Sequence, residues 1–209
     1  MAYWSSTKIE EQLIDFRYRR QGLHTLGREW DIYNAGSSFH GYAPTAWRPL
    51  RDIFRKCSVG PDDVLLDYGS GKGRTVIWAA ANFRLRRTVG IELDERLHAE
   101  AKENLERWSG RLLCRDIVLS CTDATQFEVP DDVTITYFGN PFVGDTFKKV
   151  ISQIKASLAR KPRSLQILYY HPRMHDFVID AGFCVDRGRI NPPYEWTIYR
   201  NRPYSPGSL

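Results

Sequence analysis

The sequence contains no apolar run approaching the ~20 residues that a membrane-spanning helix requires. Its first residues, 1–12, include acids and lack an apolar stretch of signal-peptide length. The expectation is a soluble chain that stays in the cytoplasm. Cysteine is scarce: Cys57, Cys114, Cys121 and Cys184 are scattered with no CxxC pair, which argues against a zinc site or a disulfide framework and for buried, reduced thiols. No metal centre is expected. Repeats and low-complexity stretches are absent, apart from a short frayed tail at 205–209. Charge of one sign is not concentrated either. The net charge of +5 is spread along the chain, with Arg17, Arg19 and Arg20 as a small cluster, which permits an acidic partner without requiring one.

What is present suffices for one sizeable core: 209 residues, 42% of them apolar. The chain reads as one structural domain with an N-terminal helical lid or substrate segment, 1–56, and a catalytic core, 57–203. Aromatic residues crowd the first part: Tyr3, Trp4, Phe16, Tyr18, Trp30, Tyr33, Phe39, Tyr42 and Trp47. Ile9, Leu13 and Phe16, with Tyr18 beyond them, recur at helical spacing and predict an amphipathic helix over 7–20. A second helix is expected to begin near Pro49, where a missing N–H is harmless.

From residue 63 onward, short apolar strands alternate with helical patterns, the signature of βαβ units and a parallel sheet covered on both faces. The last two strands, 183–190 and 194–200, are joined through Asn191, Pro192 and Pro193, too close for anything but an antiparallel pair. The fold class is α/β, doubly wound.

The strongest chemical signal is Asp67-Tyr68-Gly69-Ser70-Gly71-Lys72-Gly73, which follows the apolar run Val64-Leu65-Leu66 and opens a helix. The glycines allow a sharp turn and close approach of a ligand, and free N–H groups at a helix start suit an anionic group such as a carboxylate. The third glycine comes one place too early for the dinucleotide fingerprint, and no Gly-Lys-Ser/Thr closes a phosphate-binding loop.

This motif, with Glu92 in GIELD, Asp123 in CTDAT and Asn140-Pro141-Phe142 after the fourth strand, resembles the class I S-adenosylmethionine-dependent methyltransferases in order and spacing. The resemblance covers about 63–200. It implies a seven-stranded, mostly parallel sheet with an antiparallel C-terminal strand, S-adenosyl-L-methionine as cofactor and S-adenosyl-L-homocysteine as product. It assigns cofactor binding to Asp67, Gly69, Ser70 and Gly71, to Glu92 on the ribose diol, and to Asp123 with Ala124 on the adenine edge. Phe39 to Thr45 resembles a GYxPT stretch of small bacterial methyltransferases, some of natural-product pathways, which implies that Tyr42 and Thr45 touch the methionine end. The N-terminal segment is then either a lid over an apolar acceptor or an ordinary helix packed on the sheet. Arg74 is either a supporting partner of the site or a surface residue.

Asn140-Pro141-Phe142 resembles the [DN]PP[FY] motif of enzymes that methylate planar amines, although the second proline is missing here. Asn140, His171 and Tyr42 are the candidate catalytic residues, with Asn140 also near the cofactor. Candidate bases are His171, His40, Tyr42 and Glu195, of which His171 at a strand end is preferred. Pro141, Phe142, Trp47, Tyr170 and Tyr33 are the expected acceptor-binding residues. The expected reaction methylates a nitrogen or a nucleophilic aromatic carbon of a small, aromatic or indole-like acceptor. The alternatives are a protein amine as acceptor, or a cofactor-binding module without turnover. Nucleic acid is the less favoured partner, since no dense basic stripe is visible in the sequence.

Overall fold

The computed structural model describes residues 2–26, 41–189 and 195–201, with side chains at 8–26, 41–188 and 195–201. The expectations placed on the side chains of Tyr3 and Trp4, on Trp30, Tyr33, Phe39 and His40, on the 191–193 turn and on the tail lie outside the described residues.

The described residues form six α-helices and seven strands, which alternate except where α1 and α2, β3 and β4, and β6 and β7 follow one another directly. The strands β1 (Val64–Tyr68), β2 (Arg87–Glu92), β3 (Ile117–Cys121), β4 (Ile135–Phe138), β5 (Gln166–Tyr170), β6 (Phe183–Arg189) and β7 (Trp196–Asn201) form one sheet in the order β3-β2-β1-β4-β5-β7-β6. The pairs from β3 through β5 are parallel, and β7 runs antiparallel to both of its neighbours. Every residue of β1 and β4 is buried, because helices cover both faces of the central strands, and their sequences are accordingly apolar apart from Asp67 and Thr136. Strand order reverses between β1 and β4, so their carboxyl ends flank the crevice where ligands bind in such sheets.

Edge strands depart from one expectation. Cys121 ends β3 and Cys184 lies on β6, and both thiols are exposed, whereas Cys114 is buried and Cys57 half-buried.

Two apolar layers hold the sheet. On one face Tyr68, Phe138, Phe142, Phe147 and Tyr169 pack with α5 (Gly144–Arg160) and α6 (His175–Asp180). On the other, Leu65, Trp78, Ile135 and Leu168 pack against residues of α1 (Ala2–Arg20), of the turn after it, and of α2 (Trp47–Lys56). The helices α3 (Arg74–Asn82) and α4 (Glu95–Arg107) complete the set.

The helix α1 corrects the reading from periodicity. Of the residues expected to face the core, Ile9, Leu13 and Phe16 are 56%, 64% and 61% exposed, and Tyr18 is buried as expected. The face turned inward is instead Glu11, Ile14, Asp15 and Tyr18. Its purpose is polar: the Glu11 carboxylate accepts from the Trp47 and Arg48 N–H groups at 2.8 and 2.6 Å. These N–H groups open α2, whose preceding residue, Ala46, has no side chain that could cap them. Pro49 falls in the first turn of α2.

Candidate active site

The polypeptide leaves β1 at Tyr68 and enters α3 at Arg74 through a turn in which Gly69, Gly71 and Gly73 have φ of 70°, 53° and 80°. Only glycine adopts such values readily. Space imposes the same choice: a Cβ on Gly69 would lie 2.4 Å from Pro141, and one on Gly71 2.4 Å from the ring of Tyr42. Across the turn, a Cβ on Gly90 of β2 would lie 2.9 Å from Ser70, so Gly90 is needed for the turn to settle on the sheet.

The turn is not the anion cradle expected from its glycines. Its N–H groups are largely engaged: those of Gly69 and Ser70 donate to the Ile91 carbonyl, that of Gly73 to the Ser70 carbonyl, and that of Gly71 to Glu92 Oε2 at 2.8 Å. The other oxygen of Glu92 accepts from the Leu93 and Asp94 N–H groups at 2.8 and 3.0 Å. Three N–H donors thus fix the carboxylate and oppose the burial that pushes its pKa up. Four acceptor positions minus three donors leave room for one more donor, as from a ribose hydroxyl.

Asp67 is 2% exposed and forms no hydrogen bond or ion pair with a described residue. Burial, reinforced by the nearby Glu92, holds its carboxyl well above the usual carboxylate range. Both acids line a cleft of about 860 Å³, open to solvent, at the carboxyl ends of the central strands. A polyphosphate would meet these two carboxylates, whereas a ligand with an ammonium group and a sulfonium centre would relieve them.

Tyr42, Thr45, Gly69, Ser70, Ala124, Asn140, Pro141 and Phe142 also line the cleft. Tyr42 lies over Gly71 and donates from its hydroxyl to the Thr25 carbonyl at 2.7 Å. Thr45 Oγ1 accepts from the Tyr137 hydroxyl at 2.8 Å. Asn140, at φ 61°, carries a buried Oδ1 with no hydrogen-bond partner among the described residues. It lines both this cleft and a smaller cavity of about 580 Å³ walled by His171, Pro172, Arg173 and Glu195. His171, at φ 51° on the neighbouring strand end, has its pKa lowered, chiefly by burial.

Three expected residues stand elsewhere. Trp47 is 1% exposed within the core, with its Nε1–H directed at Asp15 Oδ1 at 3.3 Å, and does not line the cleft. Tyr170 lies against His171 with ring centroids 4.1 Å apart and the rings tilted by 51°, also outside the cleft. Asp123 turns one oxygen back to the Thr125 N–H at 2.7 Å, and its neighbours Thr122 and Ala124 line the cleft in its place.

Sequence reasoning left Arg74 open and missed Asn104. Arg74, 5% exposed, donates from Nε to Thr25 Oγ1 at 2.8 Å and from Nη1 to the Thr45 carbonyl at 2.9 Å. It lies 3.6 Å from Asp15 and stacks on Trp47 at 4.2 Å. Asn104, fully buried on α4, donates to the carbonyls of His24 and Lys72 and accepts from the His24 N–H. These two side chains tie the N-terminal segment to the glycine turn. The amphipathic pattern of α4 gave no hint of this, since the partners of Asn104 are 32 and 80 residues away.

A family model for the histone methylation protein DOT1 matches residues 22–114, which include the glycine turn and Glu92 and stop short of Asn140. A protein-lysine N-methyltransferase of Saccharolobus islandicus (strain REY15A) is 35% identical over 66 residues, 32% of this chain. That match spans 41% of the relative's length. Among solved structures, an RNA methyltransferase from Salinibacter ruber in complex with S-adenosyl-L-homocysteine is 23% identical, with 80% of this chain and 99% of the other covered and a TM-score of 0.57. A precorrin-6y C5,15-methyltransferase from Geobacter metallireducens GS-15 is 15% identical, covers 81% of this chain and 93% of its own, and has a TM-score of 0.60. The sheet order and these structural similarities give the chain the fold of these methyltransferase structures, and the family model falls on the part that holds the glycine turn.

Proposed function

We propose that the protein transfers the methyl group of S-adenosyl-L-methionine to a nitrogen, or to a nucleophilic carbon, of a small aromatic acceptor. The observation that carries this reading is the buried, partnerless Oδ1 of Asn140 at the junction of the cofactor cleft and the His171 cavity. An N–H donor on the acceptor satisfies that oxygen and fixes the acceptor's orientation, and nitrogen is therefore the preferred atom.

Bound in the cleft, the cofactor supplies a methyl group on a sulfonium, ready for direct displacement. The chain's part is to align and dehydrate. Asp67 holds the cofactor's ammonium group, Glu92 its ribose, and Ala124 its adenine. Tyr42 and Thr45 close the methionine end, and Pro141 and Phe142 form the wall beside the acceptor. Positioning of this kind supplies most of the acceleration available to a displacement. The lowered pKa of His171 keeps its ring neutral near neutral pH, so a ring nitrogen can take the proton released from the acceptor nitrogen.

A second reading, a protein amine as acceptor, is favoured by the two sequence similarities, to a DOT1 family model and to a protein-lysine N-methyltransferase. Incubation with S-adenosyl-L-methionine and either a panel of aromatic amines and indoles or a lysine-rich protein mixture, with S-adenosyl-L-homocysteine as readout, separates the two. Asn140→Ala is expected to lower turnover about 100-fold while leaving calorimetric affinity for S-adenosyl-L-homocysteine unchanged. Full turnover in this variant would remove Asn140 from the mechanism.

A further inference from the structure

The net positive charge looks diffuse in the sequence, but the fold gathers part of it far from the cleft. The loop between α3 and β2 and the loop between α4 and β3 meet at the amino-terminal edge of the sheet, opposite the end where the cleft opens. Between them lies a concavity of about 1200 Å³, open to solvent, with Arg84, Arg111 and Arg115 around a floor of Leu85, Leu112 and Leu113. All three arginines are exposed, and none forms a hydrogen bond or ion pair with a described residue.

Neighbouring charges do not neutralise them. Arg86 and Arg87 on the same strand entry are paired with Asp132 and Asp116. Asp63 accepts from the Gly60 N–H and the Thr134 hydroxyl. Asp62, beside Pro61 in the connection from α2 to β1, forms no hydrogen bond or ion pair with a described residue, so three unpaired guanidinium groups stand against one unpaired carboxylate nearby among the described residues.

We infer that this concavity is a recognition site for an acidic segment of a protein partner, with an apolar side chain of the partner seated on Leu85, Leu112 and Leu113. Two features favour a peptide over a nucleic acid. Guanidinium groups pair with carboxylates as well as with phosphates, but the floor is aliphatic and, among the described residues, no aromatic ring lines the concavity on which a base could stack. An apolar floor with a cationic rim suits a chain that alternates acidic and apolar residues. The inference does not rest on the identity of the methyl acceptor, because the site lies on the opposite edge of the sheet.

The test uses a short fluorescein-labelled peptide with glutamates around a central leucine, titrated with the full chain by fluorescence anisotropy at low and raised salt. A single-stranded RNA oligonucleotide of equal charge serves as comparison. Binding of the peptide that weakens with salt, and that falls at least about tenfold in Arg84→Glu/Arg111→Glu/Arg115→Glu, is expected. Calorimetric affinity for S-adenosyl-L-homocysteine is expected to be unchanged in that variant and reports that it is folded. If the triple variant fails this check, the single variant Arg111→Gln, expected to weaken the peptide about twofold, takes its place. Peptide affinity indifferent to these substitutions overturns the site. Oligonucleotide binding tighter than peptide binding, and lost in the variant, overturns the partner.

Discussion

Asp67 and Glu92 bring two carboxylates to the floor of one cleft, and only Glu92 has hydrogen-bond donors to steady it. The burial of Asp67 raises its pKa in the folded state above the unfolded value, so the folded protein binds more protons in the window between the two. Stability without ligand is therefore full below the ordinary carboxylate pKa and declines as pH rises through the raised one. A cationic ligand reverses the preference, because it favours the ionised form. Affinity for S-adenosyl-L-homocysteine should accordingly rise with pH across the same window, with proton release visible in calorimetry across buffers of different ionisation enthalpy. Asp67→Asn should raise the Tm of the free protein, weaken the ligand and abolish the pH trend. A Tm that falls, with a pH trend that survives, would mean that another group carries the coupling. Asn140 separates strain from chemistry in the same way. At φ 61° an alanine would be strained, so Asn140→Ala should lose about 1 kcal/mol of stability and Asn140→Gly should not. Both should lose turnover alike, since both lack Oδ1.

At the scale of the elements, the N-terminal segment is held by polar contacts rather than by an apolar stripe. Arg74 joins Thr25, Thr45, Asp15 and Trp47 in one buried knot on the first residue of α3. A lysine cannot reproduce the planar stack and the two directed hydrogen bonds. Arg74→Lys should cost about 3 kcal/mol and, by freeing the Thr45 strand of chain from the cleft wall, weaken S-adenosyl-L-homocysteine as well. Thermal melts with calorimetry check both, and unchanged affinity would limit Arg74 to holding the fold. Leu13→Lys, on the exposed face of α1, should stay within about 0.5 kcal/mol of wild type. The contrast shows what was legible beforehand. The sheet, its closing antiparallel pair and the glycine turn follow from local signals: continuous apolar runs, short connections, glycines at positive φ. The inward face of α1 depends on Glu11 meeting N–H groups 36 and 37 residues away, and no periodicity encodes such a partner. Asp123, Trp47 and Tyr170 were read from motif position, which gives the neighbourhood of the cleft but not which side chain turns into it.

The whole molecule raises the question of whether 1–56 is a separable lid. Tyr18, Leu23, Trp47, Leu50, Ile53 and Phe54 belong to the same apolar layer as Leu65, Trp78, Ile135 and Leu168 of the core, and each of the six is at most 8% exposed. At ~1.5–3 kcal/mol for each large side chain withdrawn from water, six amount to ~9–18 kcal/mol, as large as the entire stability of an ordinary domain at ~5–15 kcal/mol. Deleting them would also expose the face of the sheet that they cover and strip Arg74 of Asp15, Thr25, Thr45 and Trp47. We therefore expect the full chain to melt in a single transition, and a chain beginning at residue 57 to show no cooperative melt and no affinity for S-adenosyl-L-homocysteine. Saturating ligand at ~100 times its Kd should stabilise the full chain by ~2.7 kcal/mol in one step, with far-ultraviolet circular dichroism and tryptophan fluorescence tracing the same curve. Six of the residues deleted or retained in that comparison decide the outcome. If the shortened chain folds and binds, the N-terminal segment is a movable cover after all, and Arg74 acts as its latch. If it does not, the segment is one wall of the core, with Tyr42 to Thr45 as the part of it that lines the cleft.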